Sequence, residues 1–216
     1  SPTTIAIDST TYFALGSFTT DNPLPVSLSA FTLTPRSRSV ELFWRTESET
    51  ENAGFIIYRS ESENGLYQEI ASYQNEHSLR GRGTTSSATD YRYTDQLNVQ
   101  PGRKYWYKLV NVDFDGSRAE QAPTSVQLPF EYALDQNYPN PFNPITTIQF
   151  SLEKAGKTTL EIYNVLGQKV ATLVNGELSA GAYRYQWNAS GYASGIYFYR
   201  LRSENFVATK KMLLVK

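Results

Sequence analysis

Apolar and polar residues alternate one by one along most of this chain, and a period of two fits strands and little else. In "SVELFWR", Val40, Leu42 and Trp44 fall on one side while Glu41, Phe43 and Arg45 fall on the other. The same alternation runs through "TTIQFSL" (Ile148, Phe150, Leu152) and "GAYRYQWNA" (Tyr183, Tyr185, Trp187). Gly, Asn, Asp and Pro punctuate the runs, and no stretch offers an amphipathic helix of useful length. The expected fold class is all-β: two antiparallel β-sandwich (immunoglobulin-like) domains in tandem. A hydrophobic content of 40%, with 16 Tyr and 11 Phe, supplies two cores.

Prolines mark the expected boundaries. Residues 1–23 contain β-like runs at Ile5–Ile7 and Tyr12–Leu15, too little to bury a core alone. They read as the end of an upstream domain, or as strands that self-associate by pairing across subunits. Residues 24–128 hold seven strand candidates: "PVSLSAFTL", "SVELFWR", "GFIIYRS", "LYQEIAS", "DYRYTD", "KYWYKLVNVD" and "TSVQL". The polar stretch "ESETEN" between the second and third reads as a solvated loop, and "YQNEHSLRGRGTTSSATD" as one long loop. Residues 129–144 read as a Pro/Asn-rich linker and lead-in, and 145–216 as the second sandwich. In the lead-in, Pro fixes φ and Asn favours turns, so "QNYPNPFNP" is expected to be stiff and extended.

Several function classes are disfavoured. The net charge is -1, and no dense Lys/Arg run marks a nucleic-acid surface. No apolar run approaches the roughly 18–20 residues that span a bilayer, and no signal peptide is visible. Cysteine is absent, which removes disulfides, thiolate metal sites and a Cys nucleophile. The only Met is Met212, so a fragment or tail of a longer protein is expected. No cofactor is expected.

Candidate sites are few. Asp113 and Asp115 precede Gly116 in a Ca²⁺-loop-like order, without the later Glu such a loop needs. A polar hairpin turn explains them better. The solitary His77 lies in a polar stretch. Trp106, facing outward if Tyr105 and Tyr107 face the core, forms a candidate ligand surface beside Tyr58, for sugar rings or for a protein. Glu47 and Glu49 have no feature that would make them converge as a hydrolytic pair. The expectation is therefore no enzymatic activity.

Two resemblances follow. "SVELFWR … GFIIYRS … YRYTD … QPGRKYWYKLVNVDFDG" resembles a fibronectin type III domain, with Trp44 at the core-Trp position and Tyr105 at the tyrosine-corner position. "QNYPNPFNPITTIQFSL … LEIYNVLGQKVATL … ASGIYFYRL … KKMLLVK" closely resembles the type A C-terminal sorting domain of the bacterial type IX secretion system, over about residues 134–216. Its motif residues here are Tyr138, Pro139, Asn140, Pro141, Phe142, Asn143, Pro144, Gly167 and Gly195. By that resemblance the sorting signal is Lys210, Lys211, Met212, Leu213, Leu214, Val215 and Lys216.

The resemblance also implies partners and a place. They are the type IX secretion machinery, its sortase-like surface peptidase, and lipopolysaccharide after processing. The protein would be secreted or held at the cell surface, via the periplasm, in a Bacteroidetes-like Gram-negative bacterium. Cleavage is expected within Glu131, Tyr132, Ala133, Leu134, Asp135 and Gln136, upstream of the prolines. Two other readings stand beside this one: an adhesive module retained uncut in a surface fibre, and a carbohydrate-binding module centred on Trp106.

Overall fold

The computed structural model describes residues 26–216, so the strand expectations at Ile5–Ile7 and Tyr12–Leu15 lie outside the described residues. Two compact units meet in sequence between Leu128 and Pro129. Both are built of antiparallel sheets and carry separate cores.

The first unit is an eight-stranded sheet folded over on itself at the long strand β2. β1 (Val26–Pro35) and β5 (Thr89–Asp95) flank the first half of β2 (Val40–Ser60). The second half of β2 lies between β3 (Gln68–Ser72) and β6 (Lys104–Asp113). β7 (Arg118–Glu120) and β8 (Thr124–Gln127) follow one another along the far side of β6. Strand order of this kind is fibronectin type III-like.

Trp44 is fully buried, stacked on Tyr91 at 5.4 Å and edge-on to Phe55 at 5.3 Å. The Tyr105 hydroxyl accepts from Gln100 N (3.0 Å) and donates to Asn98 O (3.4 Å), which makes the tyrosine corner.

Two details correct the sequence reading. "SVELFWR" and "GFIIYRS" belong to one bent strand, and "ESETEN" is its bend rather than a solvated loop. The bend shows register shifts from Glu49 to Gly54 and a positive φ of 52° at Glu51. Glu49 is 1% exposed and accepts four hydrogen bonds: from Thr46 Oγ1, Tyr91 OH, Asn52 Nδ2 and Arg82 N. The expected long loop contains a 3-10 turn (His77–Leu79) and strand β4 (Arg80–Thr85), which pairs onto that bend. Glycine permits the close approach, since a Cβ on Gly81 would lie 2.3 Å from Asn52 O.

The second unit packs a three-stranded sheet on a four-stranded one. The first is β13 (Gly181–Asn188), β10 (Ile145–Leu152) and β9 (Ala133–Leu134). The second runs β12 (Lys169–Leu178), β11 (Gly156–Asn164), β14 (Gly195–Ser203) and β15 (Phe206–Leu214). Ile148, Phe150 and Leu152 of β10 point inward as their spacing predicts, towards Leu160, Ile162, Tyr199, Leu201, Met212 and Leu214. Tyr183 and Tyr185 stack on Phe150 at 5.3 and 5.9 Å.

Candidate functional site

Residues 131–144, expected as linker and lead-in, are part of the second sandwich. Ala133 and Leu134 pair with Ser151 and Phe150, and Leu134 is buried. Glu131 O accepts from Ser151 Oγ, Asp135 N donates to Gln149 O, and the Tyr132 ring stacks on Phe206 at 5.1 Å. The Gln136 amide donates to Lys211 O at 2.8 Å. Every residue from 131 to 136 thus lies within a bonded stretch of backbone and not on a free tether. Pro129 and Phe130, just upstream, make no hydrogen bond among the described residues.

The Pro/Asn-rich motif closes around the amide of Asn137. Its Nδ2 donates to Pro139 O (3.0 Å) and Thr146 Oγ1 (2.9 Å), and its backbone N–H reaches the Tyr199 hydroxyl (2.9 Å). That hydroxyl donates in turn to Asp135 O at 2.6 Å. Burial pushes the Tyr199 phenol up to about 12, against the easing effect of the Asn137 N–H. Tyr138 exchanges two backbone bonds with Thr147 at 2.9 Å, and Pro144 O accepts from Ala189 N. The Tyr138–Pro139 and Asn140–Pro141 bonds are cis. Asn143 and Pro141 are exposed. Prolines fit here because this segment forms no continuous ladder that would need their missing N–H.

The motif also grips the terminal strand. β15 pairs with β14 on one side and is the edge of its sheet. Along its outer side, Asn140 Oδ1 accepts from Leu213 N (2.9 Å). Phe142 N donates to Leu213 O (3.0 Å), and Val215 N donates to Phe142 O (3.0 Å). Phe142 itself is buried against Trp187 at 5.6 Å. The first and last motifs of this domain therefore meet as clamp and strand, and the final residues have little open edge.

Alternation divides the terminal seven residues into two sets. Met212 and Leu214 are fully buried core residues, with Lys210 half-buried on the same side. Lys211, Leu213 and Val215 face outward, the last two 38% and 41% exposed. Lys216 is tied down, its Nζ donating to Ser190 O and its backbone N to Ser194 Oγ. Leu213 pairs across β14 with Ile196, and Lys211 with Phe198. Farther along this outer face, the Arg200 guanidinium lies over and bonds to Tyr163.

Gly167 takes φ 76° in the turn joining β11 to β12. Asn164 Oδ1 holds that turn by accepting from Leu166 N and Gln168 N, which leaves Val165 and Leu166 exposed at its tip. Gly195 opens β14 at φ 151°.

The remaining candidates do not converge on a site. Asp113 and Asp115 form a tight hairpin turn in which Gly116 N donates to Asp113 O. Ser117 N bonds the Asp115 carboxylate at 2.8 Å, holding it below the usual carboxylate range. No cluster of three His, Cys, Asp or Glu occurs among the described residues.

Trp106 and Tyr58 share a sheet face but pair with Ser60 and Lys108, not with each other. The Lys104 ammonium sits 4.7 Å from the Trp106 ring centre, over the face a sugar would use. Tyr58 packs on Ile56, Val110 and Val112. Thr146 and Tyr199, which hold Asn137 in place, were not singled out from sequence. The inward register of "IYFYRL" is the signal that could have flagged Tyr199.

The family model described as "Secretion system C-terminal sorting domain" matches residues 136–216. No curated relative matches the chain. Solved structures give distant likenesses. Dimeric latent PorU from Porphyromonas gingivalis is 13% identical at TM-score 0.33, with 94% of this chain aligned to 21% of that one. Chicken CNTN1 FN1–FN3 domains are 10% identical at TM-score 0.35, covering 90% and 69%. Clostridium thermocellum CbhA fibronectin(III)-like modules are 13% identical at 0.29, covering 83% and 86%. The chain thus spans about a fifth of the PorU chain. Within the C-terminal sandwich, residues 136–216 match the secretion system C-terminal sorting domain family.

Proposed function

We propose that this chain is the C-terminal region of a larger type IX cargo, and that its last domain directs export across the outer membrane. The family match over residues 136–216 carries this reading. The fibronectin-like domain is a non-catalytic spacer, and the sorting domain is a substrate of the transport and processing steps. A sortase-like peptidase removes it, and the cargo is released or joined to lipopolysaccharide.

The geometry adds detail to the terminal signal. A receptor that meets the folded domain reads Lys211, Leu213 and Val215, while Met212 and Leu214 maintain the strand that presents them. Processing within Glu131–Gln136 requires β9 to leave its sheet first, because a peptidase binds its substrate as extended, unpaired chain. Pro129 and Phe130 lie just outside that constraint.

Deleting Lys210–Lys216 in the native host is expected to leave the cargo in the periplasm. Cell fractionation checks this, and secretion at the normal level would overturn the proposal. Mass spectrometry of the mature surface protein would locate its new C-terminus relative to Pro129 and Gln136.

A further inference from the structure

A cleft of about 520 Å³ opens in the fibronectin-like domain between β4 and β5. Its walls include Arg80 and Arg82 of β4, Arg92 of β5, and His77 and Ser78 of the preceding turn. The period of two accounts for the arrangement. Gly81 presses onto the β2 bend, where a side chain cannot fit, and Arg80 and Arg82 project to the solvent side.

None of these three guanidiniums hydrogen-bonds a carboxylate among the described residues; Arg92 lies over the Phe43 ring at 5.3 Å and within electrostatic reach of Glu41. The carboxylates nearby are hydrogen-bonded to other groups. Asp90, which also lines the cleft, bonds Arg45 at 3.2 Å, and Glu41 makes a two-pronged bond with Arg36 at 3.1 Å. Glu49 lies beneath, its oxygens taken up by four donors. Residues 1–128 carry eleven Lys and Arg against fifteen Asp and Glu, so this cluster runs against the charge of its own domain.

We propose that the β4–β5 cleft binds an oxyanion, either a phosphate monoester or a carboxylate such as that of a uronic acid. All three cations are arginines, whose planar forks match both groups through paired N–H donors. The site is rigid where rigidity matters. The Arg82 backbone N–H and the Tyr91 hydroxyl are both fixed by Glu49, at 2.8 and 2.6 Å, so the strands that aim the side chains are held from below. Exposed guanidiniums give modest affinity that weakens with salt.

Calorimetric titration of the whole chain at low salt, with inorganic phosphate and separately with galacturonate, tests this. Saturable binding of at least one probe is expected, and the preferred probe identifies the ligand source. Arg82→Gln and Arg92→Gln, on different strands, should each weaken binding by about tenfold or more, the scale of one charge-assisted hydrogen bond. Thermal melting should show both variants folded, because the β4 anchor is the backbone of residue 82. Arg202→Gln, in the other domain, should bind as wild type. No saturable binding of either probe, or equal loss in Arg202→Gln, would overturn the proposal.

Discussion

The two sandwiches solve the same problem with different chemistry. In the first, the polar groups that fix the bend and the β5–β6 connection centre on buried carboxylates. Glu49 takes four donors; Asp95, fully buried, bonds Arg59 at 2.7 Å, Tyr107 OH at 2.8 Å and Leu97 N at 3.2 Å. In the second, no Asp or Glu is buried among the described residues, and the interior polar groups are Asn137, Thr146, Thr158 and Ser203 with the Tyr199 hydroxyl. A buried charge is tolerable only while every partner stays in place. Amides and hydroxyls lose less when a partner leaves. The difference fits the proposed roles, a spacer that keeps one shape and a signal domain whose lead-in is released for processing.

The largest effect that would break this comparison is at Asp95. Asp95→Ala strips an arginine whose side chain is only 14% exposed, and a buried tyrosine, of their shared partner, and should destabilise the first domain by about 3–5 kcal/mol. Urea unfolding followed by fluorescence reads it. The methyl of Met212, the only Met in the chain, reports the second domain separately by NMR. Its transition should not move. A loss below about 1 kcal/mol would mean that the carboxylate is not the fastening it looks like.

A second test sharpens the contrast inside the terminal strand. Met212→Ala empties a fully buried position and should cost about 2–5 kcal/mol. Leu213→Ala, one residue on but facing outward, should stay within about 0.5 kcal/mol and instead reduce export. Equal stability losses at the two positions would remove the division between scaffold and readable surface.

How much of this was legible in the sequence follows from the range of each interaction. Alternation along a single strand is local, so the inward sets Val40–Leu42–Trp44 and Ile148–Phe150–Leu152 were readable. So was the Tyr105 corner, whose partners lie five and seven residues away. The clamp on β15 was not. It joins Asn140 to Leu213 across 73 residues, and nothing local to either distinguishes a clamp from a linker. The role of Glu49 was hidden for the same reason. Inside "ESETEN" it looks like its solvated neighbours, and its donors come from three separate strands. Strand β4 was missed because its glycines, needed for close packing, read as loop residues.

The smallest expected effect concerns the Tyr199 latch. Its folded pKa is raised from 10.0 to about 12, first by burial. The neutral phenol is therefore favoured by folding. Its contribution is complete below about pH 10 and is lost as pH rises through about 12. Tyr199→Phe should remove that alkaline slope from the Met212 transition. It should also leave the Asn137 N–H and Asp135 O without their partner, a cost of about 1–3 kcal/mol at neutral pH. That loss falls on the backbone of residues 135–137, at the C-terminal end of the proposed processing segment, so limited proteolysis at pH 7 should cut the variant there faster than wild type. An unchanged rate would mean that Tyr199 supports the core without holding the lead-in. The neutral latch would then have to reside in Asn137 and Thr146, whose own bonds to Pro139 do not involve the phenol.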